Sequence, residues 1–183
     1  MKPFILASAS PRRREILKKL GYNFVIEPSD IVEEKDLSLT NEKIAESLAC
    51  QKAEDVFKRR GDITVGADTI VVLNGEILGK PKDRAQNKDF LERLSGNVHT
   101  VITGYCVITP EETFSGYDKA DVKFRKLSDE EIAAYVESGL GLDKAGGYGI
   151  QDKFNLVEAI DGEYDTVVGL PSKKIVEILE RVL

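Results

Sequence analysis

The chain has 183 residues, with 26 Lys and Arg against 32 Asp and Glu, so its formal net charge is −6. This acidic balance disfavours a nucleic-acid-binding protein that depends on general neutralisation of phosphates. No stretch approaches the ~18 consecutive apolar residues of a membrane span, and the apolar run FILA near the N-terminus is too short for a signal peptide. We therefore expect a cytoplasmic protein with no nucleic-acid or membrane partner, folded as one domain over residues 1–183.

Strand and helix patterns alternate along the chain. Pro11 at a first helical position, Thr40 as an N-cap and the capping box of Ser128 with Glu131 mark helix starts. Asn74-Gly75 is a strong hairpin signal. The predicted helices cover 11–21, 40–60, 83–94, 128–138 and 171–183, and the predicted strands cover 4–7, 23–27, 63–73, 76–78, 98–109, 113–127 and 156–160. This order predicts an α/β fold with a mixed central sheet flanked by helices.

The cysteine and histidine content disfavours several kinds of site. Cys50 and Cys106 are far apart and form no CxxC pattern, so the sequence predicts neither a zinc site nor a disulfide framework. His99 is the only histidine, which excludes a multi-histidine metal site and leaves no obvious Ser-His-Asp triad. In the segment VHTVITG we expect His99 to support a strand.

The first predicted strand leads directly into SASPRRR, residues 8–14. Serine hydroxyls, free backbone N–H groups and guanidinium groups at one strand end are typical of an anion site, and phosphate is the natural ligand. The known phosphate loops GxxxxGK[ST] and GxGxxG are absent. A P-loop NTPase and a Rossmann dehydrogenase are therefore disfavoured.

Two charged residues occur where apolar residues are expected. Lys52 interrupts the apolar row 44, 48, 52, 56 of its predicted helix, and a snorkelling stem and an anion-binding role are about equally compatible with that position. Asp68 lies in the apolar run VGADTIVVL, where a carboxylate is costly unless it has partners. It is either a residue at a bulge or strand end that backbone donors hold, or a metal ligand or general base on a rigid strand.

Two glycine-containing segments are further candidates. GKPKD, residues 79–83, presents Lys80 between a glycine and a proline, although loop lysines are usually just solvated. DKAGGYGIQD, residues 143–152, ends near Gln151, whose amide carries the donor and acceptor needed to read a base edge. An ordinary mobile loop is the alternative for this segment.

Taken together, these segments resemble the Maf family, also called septum-formation-inhibitor proteins. Members of that family are nucleoside triphosphate pyrophosphatases related in fold to the inosine triphosphate pyrophosphatases, with two lobes around a cleft. The resemblance extends over nearly the whole chain. Seven segments in family order carry it: LASASPRRREIL, SDIVEEK, CQKA, GADTIVVLNGEILGKP, LSGNVHTVITG, DKAGGYGIQ and DTVVGLP.

The resemblance implies hydrolysis of a nucleoside triphosphate between its α- and β-phosphates. It implies that the phosphates are held by Ser8, Arg12, Arg13, Lys52 and Lys80. Asp68 would be the proton acceptor that activates water, and it would share a divalent cation with Glu33. Magnesium is the expected cation and manganese the alternative. The resemblance also suggests a homodimer.

Three residues indicate a subgroup within the family. Arg12, Thr69 and Gln151 resemble the dTTP and UTP pyrophosphatases, and the 7-methyl-GTP subgroup carries different residues at these places. Modified pyrimidine triphosphates are further candidate substrates. Asp152 is a departure, because the family usually has glycine there, and the stretch that follows is about one residue short.

Two other functions compete with this interpretation. A nucleotide-binding regulator of cell division would keep the pocket without turnover, whereas the carboxylates Glu33 and Asp68 favour an enzyme because binding alone requires no base. A nucleotidyl or sugar-phosphate transferase would need a second substrate, and analysis of the products distinguishes it from a hydrolase.

Overall fold

A computed structural model describes residues 3–183. The strands are β1 Phe4–Leu6, β2 Phe24–Ile26, β3 Thr64–Leu73, β4 Glu76–Leu78, β5 Val98–Ile108, β6 Thr113–Phe124 and β7 Val157–Asp161. The helices are α1 Pro11–Lys19, α2 Asn41–Arg60, α3 Arg84–Leu94, α4 Asp129–Ser138, α5 Tyr164–Val168 and α6 Ser172–Val182. None of the helices within residues 3–183 combines the length and apolarity needed to cross a membrane.

The sheet has the strand order β2-β1-β3-β5-β6-β7, and β4 pairs with β3 beside this path. Strand β1 pairs in parallel with β2 and with β3, whereas the pairs β3–β4 and β6–β7 are antiparallel. The predicted mixed α/β fold is therefore confirmed.

The element boundaries differ from the prediction in a few places. Strand β6 ends at Phe124 rather than at residue 127, after a register shift between Lys123 and Phe124 in its pairing with β7. The sequence patterns also missed the short helix α5 and a single 3-10 turn at Ala145–Gly147. The helix α5 has only five residues, rich in Thr and Val, so helix propensity gives no signal there.

The chain divides into two compact units, and each is made of separate segments. Unit one contains the described residues up to Asp68, with Thr103–Asp118 and Gly169–Leu183. Unit two contains Thr69–Ile102 and Lys119–Val168. The single domain over residues 1–183 and the cleft between lobes stay predictions.

In unit one, helix α2 packs very closely against strands β3 and β5. A Cβ atom on Gly66 would lie 2.4 Å from the carbonyl oxygen of Ala49, and one on Gly104 would lie 2.1 Å from that of Ala45. Only glycine allows this approach, because a real Cβ atom has no room at either distance. Ala53, also fully buried on this face of α2, completes the contact. The position of α2, and so of Lys52 on it, is fixed by backbone packing.

Unit two has its own apolar core. Strands β3 to β6 and helices α3 and α4 contribute to it, together with Tyr148 from the glycine-rich loop. Its buried members are Val71, Leu73, Leu78, Phe90, Leu91, Leu94, Val101, Val122, Phe124, Leu127, Ile132, Tyr135, Tyr148 and Leu156. This core supports the loop that carries Gln151.

Candidate active site

The first motif is held together by its own side chains. Ser8, buried just after β1, accepts hydrogen bonds on Oγ from the backbone N–H of Ser10 at 3.2 Å and from Nη1 of Arg13 at 3.1 Å. Nε of Arg13 donates to the carbonyl oxygen of Gly169 at 2.7 Å. The guanidinium of Arg13 is therefore oriented by a strand end on one side and by the segment before α6 on the other.

The charged groups that shift the pKa of Arg13 show which ionised side chains lie near it. Burial lowers the pKa of the Arg13 guanidinium and Arg12 lowers it further, whereas the carboxylates of Asp68 and Glu33 raise it. An arginine keeps its proton in any of these surroundings. Arg12, Arg13, Glu33 and Asp68 thus lie within electrostatic reach of one another.

Lys52 joins the two carboxylates. Its Nζ atom donates to Oδ1 of Asp68 and lies 2.9 Å from Oε1 of Glu33. The side chains of Lys52 and Asp68 are 15% and 12% exposed, and that of Glu33 is 40% exposed. Lys52 is thus an ion-paired ammonium rather than only a snorkelling stem. Asp68 lies inside β3, so the interpretation as a strand-end residue is wrong.

The protein side chains supply only part of the ligand set that a hard divalent cation needs. Among residues 3–183, no group of three or more His, Cys, Asp and Glu side chains could hold a metal ion. Glu33 and Asp68 supply two carboxylates at one ammonium. Magnesium sites at phosphates commonly use one or two carboxylates and complete their octahedron with water and phosphate oxygens. The pair therefore fits magnesium bound together with a substrate.

Three of the predicted site residues belong to unit two. Thr69 is half-buried in β3, and Lys80 and Gln151 are exposed. The carbonyl oxygen of Gly79 accepts a hydrogen bond from the backbone N–H of Gly146 at 3.1 Å. The segment that carries Lys80 is thus joined to the glycine-rich loop that carries Gln151.

Buried side chains anchor the glycine-rich loop. Asn87, fully buried on α3, donates from Nδ2 to the carbonyl oxygen of Gly147 at 2.7 Å. His99 Nε2 and the hydroxyl of Tyr148 share a buried hydrogen bond of 2.6 Å. Burial lowers the pKa of His99 to about 4, so the imidazole is neutral at physiological pH.

The sequence patterns missed the roles of Gly169 and Asn87. The motif DTVVGLP contains Gly169, but nothing in it indicates that its carbonyl binds Arg13. Asn87 did leave a signal, since it lies on the same helical row as Phe90, Leu91 and Leu94. A polar residue on an apolar row needs a buried partner, and Gly147 supplies it.

The fold and this group of charged residues agree with a family of known proteins. The family model for Maf-like protein matches residues 3–182, and the chain belongs to this family. The resemblance inferred from the seven segments is thereby confirmed.

Curated relatives are similar over almost their whole length. A protein of Thermus thermophilus named dTTP/UTP pyrophosphatase is 48% identical over 178 residues, which cover 97% of this chain and 93% of the relative. A Pyrococcus furiosus protein of the same name is 46% identical, over 98% of this chain and 95% of its own. A solved Mycobacterium abscessus nucleoside-triphosphatase / dITP/XTP pyrophosphatase aligns with 100% of this chain and 98% of its own, with a TM-score of 0.45 and 15% identity.

Proposed function

We propose that this protein is a nucleoside triphosphate pyrophosphatase that hydrolyses dTTP and UTP to the monophosphate and pyrophosphate. The observation that carries the proposal is the contact of Lys52 with both Glu33 and Asp68, beside the guanidinium of Arg13. Relatives named dTTP/UTP pyrophosphatase, similar over 93% and 95% of their own length, support the choice of substrate. A non-catalytic regulator is not favoured by these relatives.

In this proposal the first motif binds the phosphates. A nucleoside triphosphate brings close to four negative charges, and its transition state needs that charge neutralised by positioned cations. Arg13 is oriented by Ser8 and by Gly169, so little reorganisation is needed when its guanidinium meets a phosphate. Arg12, on the first turn of α1, adds positive charge to the same ligand. The role of Lys80 as a phosphate contact stays a prediction.

Asp68 is the proposed proton acceptor for the attacking water. A base on the interior of a strand is held rigidly, and this favours alignment of water with phosphorus. Lys52 keeps the carboxylate oriented, because its ammonium binds Oδ1 and leaves the other oxygen to accept the proton of a water. The proton therefore moves from water to the Asp68 carboxylate as the water oxygen bonds to the α-phosphorus. The bond from that phosphorus to the α–β bridging oxygen breaks, and pyrophosphate leaves with the bridging oxygen.

Glu33 and Asp68 are the proposed holders of magnesium, with manganese as the alternative. When bound, the cation neutralises phosphate charge and polarises the phosphoryl oxygens. Glu33 is the more exposed of the two carboxylates, and its Oε1 lies 2.9 Å from Nζ of Lys52. An ion pair at that exposure contributes little stability, so exchanging it for a bound cation costs little.

Recognition of the base is assigned to Gln151, with Thr69 as a second contact. The amide of Gln151 offers both a donor and an acceptor, which matches the alternating edge of uracil or thymine. Cytoplasmic location and a homodimer complete the proposal.

Product analysis tests the proposal. Purified protein is incubated with dTTP, UTP, CTP, modified pyrimidine triphosphates and 7-methyl-GTP, with magnesium or with EDTA. The expected products from dTTP and UTP are the monophosphate and pyrophosphate, in the presence of magnesium only. Diphosphate with orthophosphate contradicts the assigned bond, and transfer of the nucleotidyl group to an added acceptor supports a transferase instead.

A further inference from the structure

Gln151 lies in a tight turn that is closed at both ends. The carbonyl oxygen of Gly149 accepts a hydrogen bond from the backbone N–H of Asp152 at 3.1 Å. Residues 149–152 therefore form a β-turn with Gln151 at its third position. The direction of the Gln151 side chain depends on how firmly the ends of this turn are held.

The hydroxyl of Tyr135 binds both ends of the turn. It accepts a hydrogen bond from the backbone N–H of Gly149 at 3.0 Å and donates one to Oδ2 of Asp152 at 2.6 Å. Tyr135 is fully buried on α4, and its ring meets the ring of Phe154 edge to face at 5.1 Å. A single rigid side chain thus joins the turn to a helix.

The chemistry of this contact assigns a direction to each hydrogen bond. Burial, and then the hydrogen bond to Asp152, raise the pKa of the Tyr135 hydroxyl above its ordinary value, so it keeps its proton and donates it. The carboxylate of Asp152 can only accept. A residue without a side-chain acceptor at position 152 would leave the buried hydroxyl without this partner.

The space around Asp152 is filled. Nζ of Lys144 lies 3.9 Å from Oδ2 of Asp152. A Cβ atom on Gly149 would lie 2.7 Å from that same oxygen and 2.8 Å from Cε of Lys144. Glycine at 149 is required for the carboxylate to reach Tyr135, and the turn has little freedom to adopt another arrangement.

We propose that Asp152 and Tyr135 are positioning residues for base recognition, which hold the turn so that the Gln151 amide meets a uracil or thymine edge in one orientation. This inference rests on the proposed role of Gln151. Uracil presents a donor at N3 beside acceptors, whereas cytosine presents an acceptor at N3 beside an amino donor. A turn held in one position fixes the point from which the Gln151 side chain extends and so favours one of these edges, whereas a loosened turn lets the amide reach either.

The test uses the full chain and three variants. Asp152→Ala removes the acceptor, Tyr135→Phe removes the hydroxyl but keeps the ring, and Asp152→Asn keeps an acceptor oxygen. Asp143→Asn is the matched control, because it neutralises an exposed carboxylate of the same loop, one that pairs with Lys144. All four are compared with the wild type without added nucleotide and with UTP or CTP.

Amide hydrogen exchange of residues 149–152 reports on the turn itself. Exchange is expected to accelerate about 10-fold in Asp152→Ala and Tyr135→Phe, and to stay within about 3-fold of wild type in Asp152→Asn and Asp143→Asn. Unchanged exchange in the first two variants overturns the proposal.

Recognition is measured as the affinity for UTP and CTP in EDTA, together with KM and kcat in magnesium. The preference for UTP over CTP is expected to fall about 10-fold in Asp152→Ala and Tyr135→Phe, through KM and affinity, with kcat within about 3-fold. Recovery of the wild-type preference for UTP over CTP in Asp152→Asn supports the proposal. Faster exchange with an unchanged preference overturns it. A wild type that binds UTP selectively but releases no pyrophosphate refutes the proposed activity, and the binding comparison still decides the role of the turn.

Discussion

Around Asp68 in unit one the polar side chains are ions that pair with each other, whereas around the glycine-rich loop in unit two most of them are neutral and buried. Lys52 binds two carboxylates, with both Lys52 and Asp68 slightly exposed. Asn87 and His99 instead make neutral hydrogen bonds out of solvent. Partly exposed ions can exchange partners with a polyanion, but a buried neutral group that loses its partner incurs the whole desolvation penalty. The ion-paired groups around Asp68 can therefore take part in catalysis, whereas the buried neutral groups stabilise the conformation of the glycine-rich loop.

A substitution in the close packing of α2 is expected to have the largest effect on the ion-paired region, because α2 carries Lys52. The substitution Gly104→Ala would place a Cβ atom 2.1 Å from the carbonyl oxygen of Ala45. We expect it to lower the free energy of unfolding by about 3 kcal/mol, measured by urea denaturation.

Gly79→Ala is the control for that substitution. A Cβ atom on Gly79 meets nothing within 4 Å, so a change within about 0.5 kcal/mol is expected. Equal stability losses at the two positions would mean that α2 is not held by its approach to the strands.

The ionic character of unit one is tested by Lys52→Met. This change keeps most of the apolar stem and removes the ammonium that joins Glu33 and Asp68. We expect pyrophosphate release from dTTP to fall about 100-fold. Lys58→Met on the same helix removes an exposed partner of Glu54 and should leave the rate within about 2-fold. A similar rate in both variants would contradict a role for the ammonium of Lys52.

The neutral anchors of unit two are tested by Asn87→Ala. The substitution removes the buried donor to the carbonyl oxygen of Gly147, and we expect a loss of about 2 kcal/mol in the free energy of unfolding. Lys88→Ala on the same helix breaks an exposed pair with Glu92 and should change stability by less than about 0.5 kcal/mol. If Asn87→Ala is as mild as this control, the loop has no buried anchor at Gly147.

The pH dependence of stability gives the smallest effect. His99 has a pKa of about 4 in the folded protein and an ordinary value of 6.5, so the unfolded chain binds a proton first as the pH falls. Its contribution is fully present above pH 6.5 and is lost as the pH drops toward 4. Between pH 7 and pH 5.5 we expect a loss of about 1 kcal/mol. His99→Gln should flatten this slope, and an equal slope in that variant would show that other groups cause it.

Local signals in the sequence predicted the elements well. Thr40 and Ser128 accept hydrogen bonds from the backbone N–H groups three residues later, as N-caps do. Asn74 and Gly75 have φ angles of 50° and 82°, as the predicted hairpin turn requires. These features depend on neighbours within four residues, so they can be predicted without knowledge of the tertiary fold.

The contacts of the site depend on tertiary structure and could be predicted only in part. Lys52 and Asp68 each stood out because a charge lay in an apolar pattern, yet each kept two interpretations until the packing of α2 brought them together. The bond from Asn87 to Gly147 joins residues 60 positions apart. The hydrogen bond between Tyr135 and Asp152 could not be predicted, because Tyr135 lies on a separate helix and no local pattern joins the two residues.

Asp68→Asn tests the proposed chemistry most directly. The substitution keeps the size of the side chain but removes its ability to take a proton from water. With dTTP and magnesium, we measure nucleotide affinity and the single-turnover release of pyrophosphate in the wild type and in the variant. We predict that release falls about 1,000-fold with dTTP and magnesium both saturating, so that weaker binding of either does not limit the rate. Release at the wild-type rate by the variant would contradict the assignment of Asp68 as the base.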